Sequence, residues 1–358
     1  MFKILTINPG STSTKIGVFH DEQRVFEKSI PFVEAESTRF KNVVDQLGSR
    51  FDAISHALKE AGIEIDGFDA VVGRGGLLAP IPSGTYEVSD EMEDYLRQAP
   101  RGEHASNLGA FLARRFASLS ACLACIVDPV SVDELADVAR VSGAPEIERV
   151  SLVHALNQKA VARKVAKKLG KPYESCRFIV AHLGSGATIG AHIGGKIVDV
   201  LGAKQDGPMS AERAGGLPVD GLIQLCFSGR YTKAELERKM LSGWGFLAYL
   251  GTRDLRGVME KSKTDAKAAL VLDAFIYQVA KGIGELSTVL EGEIDAIILT
   301  GGMTYSEDLN ERILKRTAFL APIHIIPGED ELEALAEGAL RVLNGTEKLR
   351  EYRSEKSA

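Results

Sequence analysis

The chain has 358 residues, 45% of them hydrophobic and 26% charged, with a net charge of -6. That length is generous for a single core, so two domains are expected. The acidic balance, with no Lys/Arg cluster to offset it, excludes a dedicated nucleic-acid binder. No apolar run approaches the ~20 residues that span a bilayer, so no membrane role is expected either.

In chain order, Lys3 to Asn8 reads as an apolar strand running straight into Pro9-Gly10-Ser11-Thr12-Ser13-Thr14 and a returning strand from Lys15 to Phe19. Such a turn can hold phosphate: Pro9-Gly10 reverses the chain, Ser11 and Ser13 supply hydroxyls, and Lys15 supplies a positive charge. Alone, it fits an ordinary polar hairpin equally well. A third strand, Arg24 to Ile30, follows, and then amphipathic helices over Ser37 to Leu47 and Phe51 to Ala61. The buried strand Asp69 to Val72 delivers Gly73-Arg74-Gly75-Gly76, an arginine on a glycine loop at a strand's C-terminal end, where α/β proteins usually bind ligands. A helix over Glu103 to Phe116, opening near His104, and a strand over Cys122 to Val127 ending in Asp128-Pro129 complete the first half. The four cysteines include Cys122-x-x-Cys125, whose apolar surroundings indicate small buried hydrophobes rather than a redox or zinc site. The N-terminus enters a strand at once, with no signal-peptide pattern, so a cytoplasmic location is expected.

After His154 and a helix over Ala155 to Leu169 the first pattern returns. Strand Arg177 to Ala181, turn His182-Leu183-Gly184-Ser185-Gly186-Ala187-Thr188 and strand Ile189 to Ile193 repeat strand, polar turn, strand, and both turns lead into an Ile-Gly pair. Two copies of this unit imply two similar domains facing one nucleotide. A glycine-rich loop carrying Arg213 comes next, then helices over Val219 to Phe227, Lys233 to Leu241, Thr252 to Lys261 and Asp265 to Leu290. The strand Asp295 to Leu299 ends in Thr300-Gly301-Gly302, glycines that would let a base and ribose lie against the backbone, and the last helix spans Glu331 to Asn344.

Each candidate residue has a structural reading too. Arg74 and Arg213 could be ion-pair partners, and His154 and His182 hydrogen-bonded core histidines. Asp128 could cap the Pro129 turn, His104 could open its helix, and Ser11 and Ser13 could serve their own turn.

Taken together, the segments from Asn8 through Arg74, His104, Asp128, His154, His182, Arg213 and Gly301 resemble the acetate kinase family over essentially the whole chain. That family lies in the superfamily of sugar kinases, actin and Hsp70-type ATPases. The resemblance implies an α/β fold of two duplicated ribonuclease H-like domains with mixed central sheets and a nucleotide cleft between them. It also returns the last helix to the first domain, giving an acid-substrate domain of residues 1–150 plus about 330–358 and a nucleotide-binding domain of residues 151–329. By motif, Asn8, Ser11, Ser13 and Lys15 would order the phosphate and the substrate turn, with His104 near the site. Arg74 and Arg213 would hold the carboxylate and the transferring phosphoryl group, and His154 would stabilise the transition state. Asp128 would orient magnesium or an arginine. His182, Gly184, Ser185 and Gly186 would form the second phosphate loop, with Gly301 and Gly302 at the nucleoside. The implied ligands are Mg2+ with ATP or ADP and a short-chain fatty acid or its acyl phosphate, and the implied assembly is a homodimer or larger. One departure is plain: acetate kinases carry a glutamate shortly after the Thr-Gly-Gly-type loop, where this chain has Tyr305 and, later, Glu307.

Chemistry separates the superfamily's members. A sugar kinase must deprotonate a hydroxyl, whereas a fatty acid with a pKa near ~4 to 5 is already an anion. An acyl kinase therefore needs cations that neutralise repulsion and stabilise equatorial oxygens. The shorter chain, the run His154 to Ala160 and the loop around Arg213 favour the family's butyrate-phosphorylating branch. Straight and branched four- and five-carbon acids are expected substrates, because one methylene changes discrimination by only ~1 to 3 kcal/mol. A sugar or anhydrosugar kinase using Asp128 as base, an acetate or propionate kinase, and an actin-like ATPase remain alternatives.

Overall fold

The computed structural model describes residues 1–32, 40–202 and 206–354. The chain divides into two compact units, residues 1–133 with 330 onward, and residues 134–329.

The first unit is built on strands β1 (Lys3–Pro9), β2 (Ser13–His20) and β3 (Gln23–Pro31), helix α1 (Leu47–Glu60), strands β4 (Ala70–Arg74) and β5 (Thr85–Glu87), helices α2 (Asp90–Gln98) and α3 (Leu108–Ser120), and strand β6 (Leu123–Val127). Its sheet order is β3-β2-β1-β4-β6-β5. β1 pairs antiparallel with β2 and parallel with β4, so it lies mid-sheet, and its buried run of Ile4, Leu5 and Ile7 is what a two-sided burial demands. On one face Leu5, Ile7, Ile16 and Val18 pack against Ile54 and Leu58 of α1 and Leu112 and Phe116 of α3. The edge strand β3 is charged and mostly exposed, which blunts its open hydrogen-bonding side.

The second unit contains α4 (Asp137–Arg140), α5 (Ala155–Leu169), β7 (Arg177–Leu183), β8 (Ala187–Ile193), β9 (Lys196–Leu201), α6 (Val219–Cys226), α7 (Lys233–Ser242), α8 (Phe246–Leu250), α9 (Leu255–Ser262), α10 (Ala266–Val289), β10 (Ala296–Gly301), α11 (Glu307–Thr317) and β11 (Ile323–Pro327). The remaining helix, α12 (Glu331–Leu343), belongs to the first unit and covers its other sheet face, where Gly338 lies against Val127. The second sheet runs β11-β10-β7-β8-β9. One face is covered by α10 through Leu272, Phe275 and Ile283, the other by α5 through Val161 and Val165. Here β7 pairs antiparallel with β8 and parallel with β10, as β1 does with β2 and β4. The duplication read from two turns is thus a duplication of sheet topology.

Several expectations need correction. The division falls at Asp133/Glu134, not near 150: the Ala136 N–H donates to Val198, and Glu134 accepts from the Ile197 N–H and pairs with Lys159 at 2.8 Å, tying this segment to β9 and α5. The helix expected over Ser37 to Leu47 lies partly outside the described residues. Its described end is a 3-10 turn at Val43–Gln46, started by the Asn42 N–H donating to Asp45, and α1 begins only at Leu47. The helix expected from Glu103 opens as a 3-10 turn, Ala105–Asn107. Short elements without clear periodicity, among them β5, α8 and β11, went unread. Among the described residues, no helix is long and apolar enough to cross a membrane.

Candidate active site

In the first unit the candidate residues gather at the C-terminal ends of β1 and β4. The parallel register pairs Ile7 with Gly73, which brings Asn8 and Arg74 side by side. β4 reaches this position by running against α3: a Cβ on Gly73 would lie 2.0 Å from the Gly109 carbonyl oxygen, so no other residue fits. Glu331, at the start of α12, grips the Arg74 guanidinium with both oxygens, at 3.0 and 3.1 Å, and accepts from the Asn8 side-chain amide. Such a bidentate fork fixes the guanidinium plane and leaves further N–H groups for a second anion. Lys15 stands directly across from Asn8 in the antiparallel register and is exposed, as are Ser11 and Thr12. The turn itself is closed by the Gly10 N–H donating to Ser13 at 2.7 Å.

Asp128 is buried with φ of 37°, and its Oδ1 accepts from the Gly84 N–H at 2.8 Å. It therefore braces the turn before β5. The exposed His104 uses Nδ1 to accept from the Ser106 N–H at 3.2 Å, the helix-opening role allowed for it above.

In the second unit the hairpin turn joins a dense polar cluster. His182 is buried, with Nδ1 2.8 Å from Asn157 Oδ1 and Nε2 3.1 Å from Glu329. Its ring stacks on His154, centroids 3.9 Å apart and planes within 14°. His154 Nδ1 meets Thr188 Oγ1 at 2.9 Å, and Thr188 is the cross-strand partner of His182. Arg213 packs onto the turn, so that a Cβ on Gly186 would lie 2.4 Å from its Nη1. Its Nε is buried and has no hydrogen-bond partner among the described residues. Burial lowers the Arg213 pKa against the opposing pull of Glu212, and an anion arriving there would offset that desolvation. Ser185 is exposed, and its carbonyl accepts from Ser210 Oγ at 2.6 Å.

Beside this turn lies a cavity of about 900 Å3, within the size range of small-molecule sites, lined in part by Gly184, Arg253, Asp254, Gly302, Tyr305 and Glu329. Gly302 lies on its wall. Gly301 has a packing requirement of its own: at φ of 95° its would-be Cβ lies 2.4 Å from the Leu183 carbonyl oxygen, so the glycine is required for β10 to pass β7. Sequence reading missed Glu329 and Glu331, which follow an unrecognised strand, although Gly328-Glu329-Asp330-Glu331 is an acidic run behind a turn glycine. It also missed Asn157, inside a stretch from which only His154 was drawn, and Asp254, the N-cap of α9.

Known proteins match this arrangement along the full chain. Residues 147–326 match the model of the acetokinase family. The chain is 49% identical to butyrate kinase 1 of Clostridium acetobutylicum over 355 residues, covering 99% of this chain and 100% of that one. A probable butyrate kinase of Clostridium botulinum is 47% identical over 98% of this chain and 99% of its own. The crystal structure of Porphyromonas gingivalis acetate kinase superposes with a TM-score of 0.79 at 18% identity, covering 96% of this chain and 100% of that one, a likeness of fold. The duplicated sheet pairing and this full-length kinship agree: the chain belongs to the acetokinase family.

Proposed function

We propose that the protein phosphorylates butyrate, or a fatty acid of similar size, with ATP, and runs in reverse from acyl phosphate and ADP. The observation that carries this reading is the 49% identity along the full length of a butyrate kinase. The arrangement of cations supports it. The acceptor is an anion that needs no base, and each unit offers an arginine at its ligand-facing turn or strand end.

In this reading Arg74, held by Glu331 beside Asn8, binds the acid's carboxylate, with Lys15 one strand further on. Arg213 and His154 meet the phosphoryl group as charge spreads onto its equatorial oxygens. His182 and the Gly184–Gly186 turn take the nucleotide's phosphates, and the cavity beside them takes the nucleoside. The unpartnered Nε of Arg213 fits an anionic ligand. Among the described residues no three His, Cys, Asp or Glu side chains cluster as a metal cage. Asp128, one of whose oxygens accepts from the Gly84 N–H, is the carboxylate that would orient Mg2+, and the metal would supply charge neutralisation to the phosphates.

Trapping with hydroxylamine tests the reading. Incubation with Mg-ATP and acids of two to six carbons should give acyl hydroxamate, most of it at four or five carbons. No hydroxamate from any acid, with nucleotide binding intact, would overturn it.

A further inference from the structure

Behind His154 runs a line of buried polar groups that no phosphate or acid need touch. Gln158 Nε2 lies 3.2 Å from the Thr188 carbonyl oxygen and 3.1 Å from Thr188 Oγ1. Gln158 Oε1 lies 3.1 Å from His192 Nε2, and His192 Nδ1 lies 2.7 Å from the Tyr173 hydroxyl. Gln158 and His192 are wholly buried, Thr188 and Tyr173 nearly so. Room for the amide is bought by Gly190, the glycine of the second Ile-Gly pair: a Cβ there would sit 2.4 Å from Gln158 Oε1.

The direction of every proton in this line follows from one fixed point. A backbone carbonyl can only accept, so the Gln158 amide must turn its NH2 to Thr188 and its oxygen to His192. That oxygen requires an N–H on His192 Nε2. Burial, with Lys159 and Arg163 nearby, holds the His192 pKa well below its ordinary value, so the ring is neutral and its Nδ1 accepts from Tyr173. At the other end, Thr188 Oγ1 receives the second amide proton and keeps its own hydroxyl proton, which is available to His154 Nδ1.

We infer that Gln158, Thr188 and His192 are positioning residues that lock His154 in the tautomer carrying its proton on Nε2, so that His154 acts as a hydrogen-bond donor and not as a base. The role of His154 toward phosphoryl rests on the kinase reading above; its tautomer does not. Substituting the isosteric carboxylate in Gln158→Glu reverses the line. The carboxylate accepts from both His192 and Thr188, the Thr188 proton turns away, and His154 must then donate from Nδ1.

The test is two-bond 1H–15N correlation on the full-length protein labelled with 15N-histidine, with the His154 signals assigned from their loss in His154→Gln. The wild type should show Nδ1 unprotonated and Nε2 protonated in His154, and Gln158→Glu should show the reverse. Should Gln158→Glu fail to fold, Thr188→Val, which removes the hydroxyl alone, should leave His154 as a mixture of tautomers. In steady-state assays Gln158→Glu should lower kcat by roughly 10- to 100-fold, as for partners that orient metal-binding histidines, with KM for ATP and acid little changed. A wild-type His154 protonated on Nδ1, or a tautomer indifferent to either substitution, overturns the inference whatever the activity. Absence of acid phosphorylation with the wild-type tautomer as stated would instead overturn the kinase reading alone.

Discussion

The hairpin turns of the two units are topological counterparts, yet they are made of opposite materials. In the first, Ser11, Thr12 and Lys15 are exposed and the nearby charge of Arg74 is held by Glu331. In the second, the turn leans on a buried guanidinium and a stacked pair of imidazoles, tied into a polar line that reaches Tyr173. A shared sheet order determines where a turn sits, at the ends of central strands. What packs behind the turn decides its chemistry: exposed charge suits capture of a small anion, and preorganised buried donors suit a charge that appears only in the transition state.

The contrast can be broken most severely at the arginines. Arg213→Ala should lower kcat by ~10²- to 10³-fold, the effect of losing a preorganised donor, with an unchanged melting scan as folding control. A near-normal kcat would remove Arg213 from the reaction. Arg74→Ala should act on the ground state as well, raising KM for butyrate by ~10- to 100-fold, the worth of a hydrogen bond to a charged group, and also lowering kcat. Arg74→Lys should rescue poorly, because a point charge cannot reproduce the fork held by Glu331.

A subtler comparison sets the turn glycines against each other. Gly186→Ala would push on Arg213 Nη1 from 2.4 Å, whereas Gly10→Ala meets only the Ser13 carbonyl oxygen at 3.2 Å. The first substitution should cost roughly tenfold or more in kcat, since small displacements of catalytic groups are expensive, and the second less than half of that on a logarithmic scale. Equal effects would mean that the turns are not functionally distinct.

The smallest expected effect is on stability. The His192 pKa is depressed in the native state, so well above the unfolded value of ~6.5 neither state holds its proton and nothing is lost. As pH falls below 6.5 the unfolded chain takes up a proton that the native one refuses, and the folding constant falls by up to roughly tenfold per pH unit. Denaturant titrations at pH 7.5 and 5.5 should show this acid loss in the wild type and a smaller one in His192→Asn.

The duplication was legible in the sequence because its signal is local: an apolar run, a polar glycine turn, another apolar run. Arg74 and Arg213 were legible because each sits on a glycine loop. Glu331 was not, since its partner Arg74 lies 257 positions away and nothing local in an acidic helix start marks which carboxylate turns inward. The packing requirement at Gly301 was hidden for the same reason: its need for a missing side chain comes from Leu183 on another strand. The line behind His154 joins α5 to β8, and only the antiparallel register that sets Thr188 beside His182 reveals it.

The central claim is that a carboxylate oxygen of the acid is the nucleophile toward phosphorus. Butyrate labelled with 18O in both oxygens, phosphorylated with unlabelled Mg-ATP and then cleaved by hydroxylamine at the acyl carbon, tests it most directly. The account predicts that the released phosphate carries one 18O, read as an isotope shift in its 31P resonance. Released phosphate containing only 16O would contradict it.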